Sequence, residues 1–573
     1  MAVSQLLTGV IGLALALALA LALAIGAILL LVRLDVRGGE QGDEKGVALG
    51  EHVLDDALGH DAGGEGDGRT VKVGQAKVWA GADDPRDEGE GLVGGEAPAG
   101  DEVDDEQGRG VGQLPQGKGQ DADVEGAARG LLSFNVLGQP VVVLNSVRAA
   151  VDLLDKRGAN YCDRPRFVLF DVMGWGKTLT FLRWGPDFRM HRRVLQKSFQ
   201  KSTIVRYRPL QERETALLLK GIFNSPAEWE SVLRRFATAV VLGIGFGIKI
   251  ESDSDPFIQV AADASYALAH GGAPAGTPVD FFPLLKSMPR WFHDRSLKFA
   301  TDWRWAICNL HDKPFDVVLA SKQRHHSLMK DMLDQRDLQL ERGQEPDMSH
   351  DDIKGAAGAV FAAGQDTTWS TLVVFILNMV LHPEVQAKAQ RLIDDVVGRD
   401  RLPTFQDRPR LLYIDYIVQE TLRWCPVSPI GIPHRSLKDD VYNGYFIPAR
   451  SFVYANARAM THDESIYTDP GEFNPDRYTP VEEGGQGEPF PIGQFGYGRR
   501  VCIGKHLAEA SVWIVVASML STMNLDKARD GKGNVMEPVV ELTNGLTSHP
   551  KRFPCQMVPR DEQAAIVLRR IEG

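Results

Sequence analysis

The residues best suited to chemistry surround Cys502, one of five cysteines in the 573-residue chain. A glycine-rich loop precedes it and a predicted helix follows, so the sulfur lies near a helix N-terminus. Free backbone N–H groups and the partial positive charge there stabilise a thiolate, which suits a metal ligand. The loop also offers glycines for close approach to a large flat ligand, an arginine to neutralise an acidic group on it, and a phenylalanine to shield the sulfur; these are Gly498, Gly504, Arg500 and Phe495.

The other four cysteines are widely spaced and form no CxxC pair. An odd total with this spacing argues against a disulfide framework or a zinc ribbon. We interpret these four as free thiols.

The segment from Phe495 to Gly504 resembles the haem-binding signature FxxGxRxCxG of the cytochrome P450 family at all five fixed positions. The resemblance implies a haem b cofactor whose iron is ligated by the Cys502 thiolate, with electron donation from sulfur favouring O–O cleavage. It also implies a mainly α fold with minor β, built as a single large haem domain.

A second stretch, Ala363–Thr368, resembles the distal-helix pattern [AG]Gx[DE]T[TS] of the same family. An acid and a hydroxyl in apolar surroundings need an explanation, because burying unpaired polar groups is costly. The resemblance implies that Thr367 delivers protons to the oxygen site, supplied through Asp366 and water, and that Gly364 leaves room for dioxygen.

Three charged residues have a structural role by the same resemblance. Glu420 and Arg423 form an ExxR pair on one helix face. Phe473–Arg477 is similar to the family's PERF-type element, with Asn474 and Asp476 departing from the usual residues. The resemblance implies that Arg477 joins the pair in a buried charge network beneath the haem loop.

Two further positions resemble those that bind the haem propionates. Phe188–Arg192 is similar to the WxxxR helix of the family, but phenylalanine replaces the tryptophan. The resemblance implies that Arg192 still binds a propionate while the indole N–H contact is lost. His434 stands where the family uses arginine or histidine for the same purpose.

The N-terminal part of the chain predicts a membrane anchor. Residues 6–32 form an uncharged, Ala/Leu-rich run, long enough as a helix to cross a bilayer. A cleaved signal peptide is the alternative, but the run is long for one and no basic region precedes it. Arg33 and Arg37 follow it, so the positive-inside rule places the rest of the chain in the cytosol. We predict a single-pass anchor in the endoplasmic reticulum membrane.

Residues 38–130 differ from everything after them. They contain 24 glycines, one aromatic residue, and 23 acidic against 8 basic residues, although the whole chain carries only −12. Such a segment cannot bury enough apolar surface to offset its ordering entropy. It is either a disordered acidic linker or mis-annotated sequence from an intron or a wrong reading frame. No basic stripe appears anywhere, which argues against nucleic acid as a partner.

Residues 131–573 have the pattern of the predicted haem domain. A β-hairpin is expected at 131–145, and Ser146 can cap a helix that reaches about Arg157. A long central helix is expected from near Asp351 to Leu381, where His382-Pro383 ends it. Further helices are predicted at 384–397, 411–424 and 504–523, and a short hairpin at 441–447.

Together these features predict a haem-thiolate monooxygenase of fungal microsomal type, similar in texture to the O-methylsterigmatocystin oxidoreductase-like group. Its partners would be NADPH–cytochrome P450 reductase, with cytochrome b5 as a second donor, and a lipophilic small molecule. The resemblance implies that the pocket is lined by segments of about 162–180, 271–293, 427–433 and 543–549. The alternatives are an isomerase or dehydratase that uses no external electrons, and a haem protein impaired by an incomplete N-terminal part of the fold.

Overall fold

The computed structural model describes residues 77–79 and 130–572, apart from residue 253 and residues 322–324. The predicted anchor at 6–32 and nearly all of the acidic segment lie outside these residues. Sixteen α-helices and nine short strands make up the described part, which confirms the mainly α class with minor β.

The strands form three small sheets. A five-stranded sheet has the order β1-β2-β3-β7-β4, and two hairpins pair β5 with β6 and β8 with β9. The strands are β1 Lys77–Trp79, β2 Leu131–Val136, β3 Gln139–Leu144, β4 His434–Arg435, β5 Asp440–Tyr442, β6 Tyr445–Ile447, β7 Phe452–Ala455, β8 Met523–Lys527 and β9 Cys555–Pro559.

The helices make up most of the domain. They are α1 Val147–Ala150, α2 Val168–Met173, α3 Pro186–Phe199, α4 Arg208–Asn224, α5 Trp229–Phe246, α6 Pro256–His270, α7 Pro278–Phe281, α8 Arg295–Asp302, α9 Arg304–Ala320, α10 Leu328–Glu341, α11 His350–Leu381, α12 Pro383–Val397, α13 Leu412–Trp424, α14 Ala457–Thr461, α15 Lys505–Thr522 and α16 Glu562–Arg569.

The start of the predicted domain folds as its sequence indicates. Strands β2 and β3 pair antiparallel, and the turn between them places Leu137 and Gly138 at positive φ. Ser146 then caps α1 by accepting a hydrogen bond from the Ala149 amide. The helix continues as a π-helix, Val151–Lys156, which the sequence pattern did not predict.

Strand β1 lies inside the glycine-rich segment, where composition gave no strand pattern. It pairs antiparallel with β2, with Val78 opposite Leu132. Part of that segment therefore extends the sheet.

Helix α11 is the long central helix that the sequence predicts. Ser349 and Asp352 form a capping box at its start, and Pro383 at the first position of α12 marks its end. Among the described residues it is the one helix apolar and long enough to cross a bilayer, yet 67% of that stretch is buried in the protein. We interpret α11 as a core helix, because a buried helix is apolar all round.

Candidate active site

The Cys502 sulfur lies between a loop and a helix start. The Cys502 amide donates to the Phe495 carbonyl at 2.8 Å, which closes the loop, and Gly504 caps α15. The backbone N–H groups of Gly504 and Lys505 donate to the sulfur. Burial raises the pKa of Cys502, and these two hydrogen bonds together with Arg192 act in the opposite direction. The loop thus directs donors at a sulfur whose side chain is exposed to a cavity.

Helix α11 also lines this cavity. The cavity has a volume of about 370 Å³, and both Cys502 and Thr367 line it. The Thr367 hydroxyl donates to the Ala363 carbonyl one turn earlier at 2.7 Å. Asp366 is buried beside it and accepts a hydrogen bond from the Thr547 hydroxyl at 2.9 Å. Helix α11 therefore presents a carboxylate and a hydroxyl to the space above the sulfur.

Apolar side chains make most of the remaining wall. They come from α3, from α5, from the end of α6 and from the segment before α3; examples are Leu179, Phe181, Phe199, Val240, Val241 and Leu268. A cavity with few polar groups among apolar walls is the usual form of a small-molecule site.

Basic side chains are concentrated at one end of the cavity. Arg164, Arg192, His434 and Arg500 all line it. Burial lowers the pKa of Arg500 to about 10, and burial followed by the charge of Arg500 lowers the pKa of Arg164 well below its usual value. Burial lowers the pKa of His434 well below its usual range as well, with Arg164 adding to the effect. Buried cations are costly unless an anion compensates them.

The protein itself does not satisfy these cations fully. Arg500 donates to the carbonyls of Cys162 and Leu182, but its Nη2 is buried without a partner among the described residues. Arg164 donates to two carbonyls, and its Nε is likewise buried without a partner. The thiol and the unsatisfied guanidinium groups fit a haem, whose iron binds sulfur and whose propionates carry negative charge.

The predicted propionate helix places Arg192 in the cavity. Its guanidinium donates to the Val501 carbonyl at 2.6 Å, next to the cysteine. Phe188, which replaces the usual tryptophan, is buried and lies 3.7 Å from the Arg500 guanidinium, measured to the ring centroid. The phenylalanine therefore supports a basic side chain by a cation–π contact instead of donating a hydrogen bond.

The structure brings the predicted charge network together behind the cysteine loop. Both carboxylate oxygens of Glu420 accept from Arg423 at 2.8 Å, and Oε1 also accepts from Arg477 at 3.1 Å. Sequence reasoning missed two members of the network. The Tyr478 hydroxyl donates to Glu420, and the Glu488 carboxylate accepts from Arg477. No sequence pattern marks these two, since Tyr478 lies 58 positions from Glu420 and Glu488 lies 11 positions from Arg477.

Two glycines serve packing as well as the site. A Cβ on Gly498 would lie 2.0 Å from the Leu154 carbonyl oxygen, and Gly498 has a φ of +55° and does not line the cavity. Contact with protein, rather than with a flat ligand, explains this glycine. A Cβ on Gly364 would lie 2.5 Å from Val241, so this glycine admits α5 against α11.

The predicted pocket lining is wrong in one segment. Residues 271–293 do not line the cavity; Leu268, just before them, does. Several of their large apolar side chains point outward instead, and Leu284 and Trp291 are 82% and 73% exposed. Helix α5, which sequence reasoning did not assign to the pocket, supplies Ala237, Val240 and Val241.

Comparison with known proteins gives a consistent result. The chain matches the cytochrome P450 family over residues 125–555. A cytochrome P450 monooxygenase of Armillaria gallica is 37% identical, over 76% of this chain and 86% of that protein. Cytochrome P450 monooxygenase claR of Ampulloclitocybe clavipes is 36% identical, over 77% of this chain and 82% of that protein.

The fold has a solved counterpart. A zebra fish cytochrome P450 determined with abiraterone is 25% identical and superposes with a TM-score of 0.60. The match covers 75% of this chain and 96% of that one.

Proposed function

Since the chain belongs to the cytochrome P450 family of haem-thiolate monooxygenases, we propose that it inserts one oxygen atom of O₂ into a lipophilic small molecule. The observation that supports this proposal is one cavity that is lined by Cys502, Asp366 and Thr367 together. Its apolar walls exclude water and favour a lipophilic substrate.

The residues around the thiol would hold the haem, which supplies oxygen activation when it is bound. Cys502 is the proposed iron ligand, while Arg192, Arg500 and His434 are the proposed propionate partners. The Nδ1 of His434 lies 2.8 Å from the Tyr161 carbonyl, so this nitrogen carries the proton and Nε2 is free. A carboxylate beside Nε2 would raise the pKa of His434 and allow it to donate. The roles of Phe495, Gly498 and Gly504 are to shape the loop.

The proposed proton path begins at the distal helix. Asp366 would exchange protons with water, and Thr367 would hold a proton at Oγ1 over the centre of the cavity. Both side chains line the same space as the cysteine.

Electrons would come from NADPH through NADPH–cytochrome P450 reductase, with cytochrome b5 as a second donor. Three basic residues lie beside the cysteine in sequence, Arg499, Lys505 and His506, and Arg499 is exposed. A basic face of this kind suits an acidic flavoprotein. We further propose that residues 6–32 anchor the chain in the endoplasmic reticulum membrane, that 38–130 link the anchor to the domain, and that 131–573 form the haem domain.

Expression with a reductase, followed by reduced-plus-CO difference spectroscopy, tests the ligation. We expect the red-shifted Soret band of a thiolate-ligated haem, lost in Cys502→Ala and kept in Cys308→Ala, whose sulfur does not line the cavity. Folded wild-type protein without this band would refute the proposal. Product formed without NADPH would instead indicate an isomerase or dehydratase.

A second measurement tests the proton path. In Thr367→Ala we expect NADPH to be consumed with release of hydrogen peroxide, and product per NADPH to fall by about tenfold or more. Thr367→Ser keeps the hydroxyl and is expected to retain most of the coupling. Tight coupling in Thr367→Ala would refute the assigned role.

A further inference from the structure

The partner of the distal acid comes from a distant loop. Asp366 on α11 accepts a hydrogen bond from the hydroxyl of Thr547, 181 positions later in the chain. Thr367, the adjacent residue, does not hold the acid, because its own hydroxyl donates to Ala363. The orientation of the Asp366 carboxylate therefore depends on a residue outside the helix.

The loop around Thr547 is fixed from both sides. The Ser548 amide donates to the Val427 carbonyl at 2.7 Å, and the Ser428 hydroxyl donates to the Leu546 carbonyl at 3.3 Å. His549 packs edge-on against Trp369 of α11, with ring centroids 4.7 Å apart. These contacts hold the Thr547 hydroxyl at a defined place relative to the helix.

The same loop also faces the substrate space. Leu546 and Thr547 both line the cavity. Val427 and Ser428, which are hydrogen-bonded to this loop, line it too. A molecule that fills the cavity must therefore touch the segment that holds the acid.

A donor to a carboxylate does two things. It restricts the side chain to one rotamer, and it stabilises the charged form over the neutral one. Arg234, which interacts electrostatically with Asp366, stacks over Trp369 with its guanidinium 3.9 Å from the ring centroid. Removal of the Thr547 hydroxyl would leave the carboxylate free to turn away from the cavity.

We propose that Thr547 is a positioning residue that holds the Asp366 carboxylate for proton delivery. This inference rests on the proposed role of Asp366. Thr547 itself transfers no proton to the substrate; it acts through the acid.

The test compares Thr547→Val, which removes the hydroxyl at nearly constant volume, with Thr547→Ser, which keeps it. Each is expressed as the full chain with a reductase, and dissociation constants are taken from substrate-induced Soret shifts. We expect product per NADPH to fall by about tenfold in Thr547→Val, the effect of losing one hydrogen bond to a charged group. The substrate dissociation constant should change little. Thr547→Val should also change the solvent deuterium isotope effect on product formation. Thr547→Ser should restore both the coupling and this isotope effect to the wild-type values.

Two further variants separate the possible outcomes. Leu546→Val alters the cavity wall without touching the acid, and it should change substrate dissociation but not coupling. Asp366→Asn should uncouple the enzyme, and adding Thr547→Val to it should have no further effect. Uncoupling by Asp366→Asn but not by Thr547→Val would refute this inference alone. Unchanged coupling in both would refute the proton-delivery role of Asp366 and this inference with it.

Discussion

Two buried groups of arginines lie on either side of the cysteine loop, and they differ in how they are satisfied. Behind the loop, Arg423 and Arg477 are fully buried, and Glu420 is shared between them. Facing the cavity, Arg164 and Arg500 are also buried, but each retains a guanidinium nitrogen without a partner among the described residues. The first group is complete in the protein alone. The second keeps unsatisfied donors, because the one buried carboxylate that acts on both of its arginines, Asp163, is bound directly by Arg183 and Arg435.

This difference separates structural from ligand-binding arginines. In the network, three carbonyls occupy the remaining donors of Arg423; they belong to Thr461 at the end of α14 and to Pro470 and Glu472 in the loop after it. In the cavity, the two lining acids have other partners, since Asp366 accepts from Thr547 and Glu509 lies 3.8 Å from His506. Charge balance thus favours folding in one place and cofactor binding in the other.

The largest expected effect comes from breaking the closed network. Glu420→Gln removes the charge shared by Arg423 and Arg477, and it leaves two buried guanidinium groups undercompensated. We expect the free energy of unfolding to fall by about 3–5 kcal/mol, with or without haem. Urea denaturation of the haem-free and haem-loaded forms measures this.

Glu488→Gln is the matched control for the network. Of the two network arginines, Glu488 contacts only Arg477, at 2.6 Å. Removing the Glu488 charge leaves the ion pairs of Glu420 intact. A smaller loss is expected. Equal losses in the two variants would show that Glu420 has no special place in the network.

The cavity arginine should behave in the opposite way. Arg500→Leu removes a buried cation that the protein satisfies only in part, so the stability of haem-free protein should change by only about 1 kcal/mol. The same variant should lose haem to a scavenging apoprotein about tenfold faster, because a charge-assisted hydrogen bond to the propionate is lost. A strongly destabilised haem-free variant would contradict the comparison, as would unchanged haem retention.

The sequence predicted the parts of this site that depend on local pattern. The cysteine loop, the distal acid and hydroxyl, and the central helix all lie in short segments whose spacing is legible without a structure. Helix α11 begins within one residue of the predicted Asp351, because its capping box is local.

The parts that it did not predict depend on contacts between distant segments. No sequence pattern distinguishes Thr547 from other threonines, and its role depends on the contact with Asp366 of α11. Arg164 likewise differs from other arginines only because the fold buries it. Gly498 is explained by the Leu154 carbonyl, which the chain brings to it across more than 300 positions. The resemblance to the family predicts segment 271–293 in the pocket, but it does not say which way the side chains of this chain face, and none of them lines the cavity.

The smallest expected effect concerns the edge of the closed network. His462 lies near Arg423 and Arg458, and its Nε2 is buried without a partner among the described residues. Burial, followed by the charges of Arg458 and Arg423, lowers the pKa of His462 to about 3. In the unfolded chain the pKa of histidine is about 6.5.

The sign of the pH effect follows from this difference. Between about pH 6.5 and about pH 3 the unfolded state binds a proton that the folded state does not, so stability falls as the pH falls. Because His462 is partly exposed, solvent reduces the loss to about 1–2 kcal/mol between about pH 7 and about pH 4. His462→Asn removes the titrating group, so its unfolding free energy should fall less over this range than that of the wild type. Parallel curves of unfolding free energy against pH for the two proteins would show that the network accepts a protonated His462 beside Arg423 and Arg477. The contrast between the network arginines and the cavity arginines would then be weaker than proposed.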